Sequence, residues 1–323
     1  MTRINSEDIN LKQIFNASKD LQVIIDFDYT IKQINLSYLE YLGITREKAI
    51  DSKCHEILGG KLCGTRQCPL KQVVEHNKII ENEITKKGAN DVSAPFLMTA
   101  TPLYNNDSCA IGIIASFKNI SSIKKSEHRL NIVFQGILYS MAKIVETRDA
   151  YTAGHQERVA EIARQIAIEM NLSQKKLDAI NISAVLHDIG KIYIPLEFLT
   201  KPITLSKIEF EIIKTHSQKG YDILKSIPFE YPVAKIVQQH HERIDGSGYP
   251  LGLKGKLILL EAKIISVADV VEAISSNRPY RQSLGMETAF KEIKKYKNIK
   301  YDADVVEACL KIKKELSGER ITR

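Results

Sequence analysis

Apolar positions along this chain change period at two points, and each change marks a new kind of element. In residues 21–35, LQVIIDFDYTIKQIN, two short apolar runs flank a polar stretch at Asp26 to Tyr29, the pattern of a β-hairpin. LSYLEYLG, TREKAID and CPLKQVVEHN then read as short helices. Three strand-like runs follow between Ile79 and Phe117, separated by the turn signals KKGAND and YNNDS. Two strands, small helices and three strands predict an α+β unit.

From Ser121 to Arg148 the period lengthens. Ile123, Leu130, Ile137 and Ile144 recur every seven residues, with Phe134 and Met141 at the intervening d-type positions. Such a helix suits a short parallel coiled coil or a helix packed on its own domain. Beyond Arg148 the pattern is one of successive helices with caps between them. Ser206 with Glu209 is a capping box, and Ser173 can cap another helix. The C-terminal half is therefore expected to be all-α and the whole chain multidomain.

Composition narrows the classes little. With 44% hydrophobic and 26% charged residues the 323-residue chain is an ordinary globular protein. The net charge of +7 comes from basic residues interleaved with Asp and Glu. That distribution specifies no groove for a nucleic-acid polymer and suits a small anionic ligand equally well. No apolar run reaches signal-peptide length at the N-terminus or the about 18 residues of a membrane span, so a cytoplasmic protein without membrane insertion is expected.

Five cysteines, an odd number, argue for free thiols or metal ligands over disulfides. Cys54, His55, Cys63 and Cys68 fall together in CHEILGGKLCGTRQCPL. Soft thiolates beside an imidazole could bind zinc or an iron centre or respond to oxidation, making this a candidate sensor site. The spacing matches no standard zinc or haem-attachment motif, and simple packing cysteines are the competing reading.

The histidines are more informative. His155 shares a helical face with Val159, Ile162 and Ile166; His216 shares one with Ile208 and Ile212; His240 and His241 extend the stripe of Val233, Ile236 and Val237, in a helix expected to end at the following glycines. His187 and Asp188 close the stripe that begins at Leu177, and Asp269 interrupts the apolar run IISVADVV. An unpaired carboxylate there would cost several kcal/mol or be forced to protonate. Five inward histidines and two inward aspartates are natural as one metal site, with ligands suited to Fe, Mn or Zn.

The motifs YTAGHQERV, HDIGK, THSQKGYDIL, HHERIDGSGYP and VADVVEAISSNRPYR, in this order, resemble those of the HD-GYP family over roughly residues 140–315. The strand and helix order of residues 9–120, with INLSYLEYLGITREKAID and the exit SFKNISSIK, resembles a PAS domain. The expected organisation is a tail (1–8), a PAS sensor domain (9–120), a coiled-coil signalling helix (121–148) and an all-helical HD-GYP phosphohydrolase domain (149–323).

The resemblance implies hydrolysis of cyclic di-GMP to pGpG and often GMP by two divalent metal ions, Fe or Mn. It implies one ion on His155, His187, Asp188 and Asp269, and the other on Asp188 as a bridge with His216, His240 and His241. Tyr151 stands where some members carry a Glu for a third metal, so two are expected. Asp188 would orient the attacking hydroxide, and Lys191 would stand near the scissile phosphate. Tyr249, Arg278 and Arg281 would contact the nucleotide, and Glu272 replaces a more usual Asp. A homodimer through the PAS domain and linker helix would let a signal shift helix packing just ahead of His155; the PAS ligand itself is not specified. The competing functions are a cyclic-dinucleotide receptor without turnover, and the same hydrolase acting on 3′,3′-cyclic GMP-AMP.

Overall fold

In the computed structural model residues 10–316 are described, except 60–62, 64, 77, 149–153, 202, 204 and 278–281. The chain divides into two compact units, residues 1–131 and 132–323.

The first unit begins with α1 (Leu11–Ala17), followed by β1 (Leu21–Asp26) and β2 (Ile31–Ile34). Alternate residues Leu21, Val23 and Ile25 of β1 are buried, as period-2 patterning requires. The predicted turn closes because the Asp26 carboxylate accepts the backbone N–H groups of Asp28 and Thr30, both at 2.9 Å. Four short helices follow: α2 (Leu36–Leu42), α3 (Arg46–Ala49), α4 (Cys54–Ile57) and α5 (Pro69–His76). Then come β3 (Ile80–Lys87), β4 (Ser93–Tyr104) and β5 (Ala110–Asn119). The sheet is antiparallel in the order β2-β1-β5-β4-β3, with Val23 opposite Ala115 and Met98 opposite Phe117. Tyr38, Leu39, Leu70 and Val73 from the helices share one core with Val23, Met98 and Phe117 from the strands. Each fully buried side chain of this size contributes about 1.5–3 kcal/mol. Asn35 joins the layers: its side chain caps α2 at the Tyr38 N–H and accepts from Gln22 N, while its amide donates to Asp20 O at 2.8 Å.

The boundary between the units falls within α6 (Ser121–Arg148). Near its C-terminal end Leu138, Ala142 and Val145, at i, i+4 and i+7, are buried, and Leu138 and Val145 pack with Leu186, Ile189, Leu224, Val233 and Val237. The heptad residues Ile123, Leu130, Phe134, Ile137 and Ile144 lie on other faces and are exposed. One stripe of α6 thus packs on its own unit together with the heptad residue Met141, while the other five heptad residues face outward.

The second unit continues with α7 (His155–Glu169), α8 (Gln174–Leu186), a 3₁₀ turn (Ile189–Tyr193), α9 (Leu196–Leu199), α10 (Lys207–Leu224), α11 (Val233–Gln239), α12 (Leu260–Ser275), α13 (Met286–Lys295), α14 (Ala303–Lys311) and α15 (Lys313–Leu316). No named strand occurs among its described residues. Val159, Ala163 and Ile166 of α7 pack with Ile264, Ile265 and Ala268 of α12 and Val305 of α14. The small alanines let these helices approach closely. Among the described residues no helix is long and apolar enough to cross a membrane.

Three local expectations change. The capping box of Ser206 and Glu209 forms in full, whereas Ser173 occupies an N-cap position without a side-chain hydrogen bond. The buried stripe around His216 runs forward through Ser217, Gly220 and Leu224, and Ile208 is 76% exposed. The cause is the 3₁₀ turn, which covers α10 beyond His216. A Cβ on Gly190 would lie 1.9 Å from His216 O and 2.6 Å from Gly220 N, so only glycine allows this contact. Finally, α11 ends at Gln239, ahead of the paired histidines, with His240 as its C-cap.

Candidate metal centre

All seven predicted ligands converge in the second unit. His155 opens α7, His187 caps the end of α8 with Asp188 just beyond it, His216 sits in mid-α10, His240 and His241 follow α11, and Asp269 lies on α12. Three groups offer ligand atoms all within 4.8 Å of one another: His155, His187 and Asp269; His216, His240 and His241; and His187, Asp188 and His240. The first two groups are the non-bridging members of the two ligand sets that the motif resemblance implies. Asp188 lies between them, 3.4 Å from His187 Nε2 through Oδ2 and 3.4 Å from His216 Nε2 through Oδ1.

Local backbone sets which nitrogen faces the centre. The Nδ1 atoms of His187, His216 and His240 lie 2.6, 2.7 and 2.5 Å from the carbonyls of Ala184, Ile213 and Val237, each three residues earlier. A carbonyl can only accept, so each Nδ1 donates and a neutral ring keeps its lone pair on Nε2. The Nε2 atoms of His216 and His240 face each other at 3.3 Å. Two lone pairs at that separation repel, and a shared or adjacent cation converts the repulsion into ligation. The donor set therefore fits divalent metal.

His155 is fixed differently. Its Nδ1 is hydrogen-bonded to the Glu272 carboxylate, and its Nε2 lies 3.3 Å from Asp269 Oδ1. Glu272 is held in turn by Arg158 Nε at 2.8 Å and Ser276 Oγ at 2.8 Å. This is the carboxylate–imidazole arrangement that orients metal-binding histidines. The Glu272 side chain, one methylene longer than the more usual Asp, thus reaches its partner.

Charge at the centre is strongly polarised. Burial works to raise the Asp188 carboxyl, yet the Lys191 ammonium, 2.7 Å away, together with His187 holds it well below the ordinary range. Burial likewise opposes ionisation of Asp269, and His155 outweighs it. Burial, with His187 and His216 nearby, pushes His240 down to about 3; burial and His240 hold His241 well below its usual value. These rings stay neutral, the form that ligates metal. His155 goes the other way: against burial, Asp269 and Glu272 raise it to about 9. A cation at its Nε2 would take the place of that proton.

A cavity of about 360 Å³ opens over the centre. His155, Asp188, His216, His241 and Asp269 line its polar floor, and Phe210, Ile213, Ala273 and Ile274 form an apolar flank. Lys191 and Tyr249 also face it, with the Tyr249 ring 4.7 Å from that of His241. The loop carrying Tyr249 is clamped by buried Glu242, whose carboxylate accepts from Leu251 N at 2.7 Å and Leu253 N at 2.9 Å. A Cβ on Gly248 would come within 2.4 Å of the Glu242 backbone, which explains the glycine beside Tyr249. The Lys214 ammonium lies 5.0 Å over the Phe210 ring and 5.5 Å over that of Tyr249.

Phe210, Lys214 and Glu242 were missed from sequence. Phe210 and Lys214 are i, i+4 neighbours of each other on α10, but their offsets of six and two from His216 are not same-face spacings, so the histidine gave no signal for them. Glu242, inside the HHERIDGSGYP motif, gave no signal of its role as a clamp. Arg278, Arg281 and Tyr151 lie outside the described residues.

The cysteine set is not drawn into such a group. Cys54 and Cys68 are buried in the core of the first unit, Cys63 is partly exposed and His55 exposed. Among the described residues, all three groups with metal-ligand geometry belong to the second unit. Burial, reinforced by Cys63 and Cys68, raises the Cys54 thiol to about 11, away from the reactive thiolate.

Comparison with known proteins places these two units. The family model described as an HD domain matches residues 139–305, more than half of the chain, and the one described as a PAS fold matches residues 15–124. The chain belongs to the HD domain family, in the HD-GYP branch that its motifs resemble, and carries a PAS domain ahead of it. A cyclic di-GMP phosphodiesterase of Thermotoga maritima is 39% identical over 206 residues, 62% of this chain and 56% of that protein. The cyclic di-GMP phosphodiesterase response regulator RpfG of Xanthomonas campestris is 38% identical over 181 residues, 55% of this chain and 48% of that protein. The 3'3'-cGAMP-specific phosphodiesterase 1 of Vibrio cholerae is 36% identical over 248 residues, 76% of this chain and 52% of that protein. The chain spans about half the length of these curated relatives.

Proposed function

We propose that this chain is a PAS-regulated phosphodiesterase that hydrolyses cyclic di-GMP to pGpG, GMP or both at a dinuclear centre of Fe or Mn. The observation that carries the reading is the orientation of His187, His216 and His240, whose Nδ1 atoms are bound by their own helices so that Nε2 faces inward toward Asp188. One ion would be held by His155, His187, Asp188 and Asp269, the other by Asp188, His216, His240 and His241. Bound divalent cations would supply Lewis acidity at the phosphodiester oxygens and acidify water for attack.

The protein's own groups do the rest. Asp188, bonded to Lys191, is held ionised and can accept a hydrogen bond from the attacking water. Lys191, facing the cavity, offsets charge on the phosphate or protonates the leaving oxygen. Tyr249 and the apolar flank take a base, and Arg278 and Arg281 are assigned to the substrate from the motif alone. A cytosolic second messenger as substrate would put this half in the cytoplasm. The exposed heptad stripe of α6 supports a homodimer through the linker helix, and inserting one residue in 121–148 should then alter regulated activity.

A second reading keeps the chemistry and changes the substrate to 3′,3′-cyclic GMP-AMP, because a relative named for that substrate matches at nearly the same identity. The test is anaerobic purification with Fe or Mn, metal counting, and chromatography of the products from both dinucleotides. Two metals per chain with pGpG or GMP are expected. Tight binding without product at full occupancy would instead identify a receptor.

A further inference from the structure

Away from the metal centre, the first unit buries a second and quite different polar pair. Lys86 is the only buried residue of β3, in a row where Ile80 and Ile84 point the same way. Its side chain is 8% exposed, and its ammonium stands 4.6 Å over the Phe117 ring and 5.3 Å over the Tyr38 ring. Its one side-chain hydrogen bond among the described residues is long, 3.4 Å to Leu58 O, and no carboxylate there pairs with it. Tyr38 is fully buried, and its hydroxyl has no hydrogen-bond partner among the described residues. Cys63 is an electrostatic neighbour of both groups, but burial raises its thiol, so it supplies no negative charge at neutral pH.

We infer that this part of the PAS core binds a small monocarboxylate, whose charge pairs with the Lys86 ammonium and whose oxygen accepts from the Tyr38 hydroxyl. One cation and one neutral donor, whose single acceptor among the described residues is the Leu58 carbonyl at 3.4 Å from the ammonium, complement a group that only accepts and carries a single charge. A phosphate dianion would bring a second charge into an apolar site with nothing to offset it. Tyr38 and Phe117, packed edge to face with ring centroids 5.4 Å apart, give the site an apolar surrounding that suits a hydrocarbon body behind the carboxylate. Burial lowers Lys86 to about 8, so it remains largely charged at neutral pH.

A purely structural lysine, held by its cation–π contacts, makes the opposite prediction for stability. The test uses the full chain with sodium butyrate, hexanoate and octanoate, and octan-1-ol as the neutral control, read by calorimetric titration and thermal unfolding. At least one carboxylate should bind and raise the unfolding midpoint, while the alcohol should not. Lys86→Met should weaken that binding on the order of 10–100-fold, the worth of a charge-assisted hydrogen bond, and Tyr38→Phe should weaken it less. The ligand-free Lys86→Met protein should unfold no lower than wild type, because a buried unpaired charge has been removed. Equal binding by Lys86→Met, equal binding of octanol, no binding of any of the three acids, or a lowered midpoint of ligand-free Lys86→Met would overturn the inference. The acid-against-alcohol comparison needs only wild-type protein and stands even if a variant fails to fold.

Discussion

The two units bury charge in contrasting ways. In the helical unit, seven ionisable side chains meet, and three of the imidazoles are oriented by carbonyls three residues back in their own helices. Orientation there is a property of local helix geometry, and packing only has to bring the helices together. In the PAS domain a single ammonium and a single phenol meet, carried by β3 and α2, and nothing local fixes either tip. A centre built from many pre-oriented donors should lose function steeply when its hub is removed. A site resting on one charge should show itself mainly through stability and ligand affinity.

The sharpest break in that contrast should come at Asp188, the residue that lies within 3.4 Å of both His187 and His216. Asp188→Ala should abolish turnover and lower occupancy at both metal positions, a larger loss than the about 10–100-fold typical of an outer hydrogen-bond partner. His216→Ala should empty mainly the second position. Metal counting on both variants decides: full occupancy in either would refute the ligand assignment.

Glu272 sharpens the same side of the comparison. It does not reach the centre itself, but it binds His155 Nδ1 and is itself held by Arg158 and Ser276. Glu272→Ala should leave His155 unoriented and reduce metal affinity by about 10–100-fold, with the fold intact by circular dichroism. Unchanged affinity would mean that α7 alone positions the imidazole.

How far these features were visible in the sequence follows the same division. The strand and helix order of the PAS domain was legible because period-2 and period-3.6 patterns report burial directly. That these seven side chains converge was legible because polar side chains on apolar stripes are costly without a partner. The forward-running stripe at His216 was not, because it depends on the close approach of Gly190 to His216 and Gly220 of α10, contacts 26 and 30 residues apart in sequence with no local trace. Glu242 and Lys86 escaped for a related reason. A glutamate in a loop and a lysine on a strand look like solvated residues until tertiary structure buries them.

Phe210 offers a gentler test, because it lines the apolar flank of the cavity and is none of the seven candidate ligands. If a nucleobase stacks there, Phe210→Ala should raise KM about tenfold with little change in kcat, the scale of one base–aromatic stack, and Phe210→Tyr should restore it. Metal content should not move. A fall in kcat at unchanged KM would instead assign Phe210 to the packing of α10 around His216.

The smallest effect belongs to the single-charge side, and its sign follows from linkage. Lys86 titrates at about 8 in the folded chain against an ordinary 10.5, so between those values the unfolded chain binds more protons and stability rises with pH. Below about pH 8 both states are charged and the full penalty of the buried ammonium is present. The facing groups that titrate nearby are the Cys63 thiol and the Tyr38 phenol, both raised first by burial; a Cys63→Ser background removes the thiol, and the phenol is pushed well above its usual value. In that background and in carboxylate-free buffer, denaturant unfolding of the Lys86 and Lys86→Met proteins should differ most near pH 7, and the two curves should converge as pH rises from about 8 toward 10.5. Curves that stay parallel over this range would mean that the ammonium reaches water. The PAS domain would then lack the buried charge that sets it apart from the metal centre.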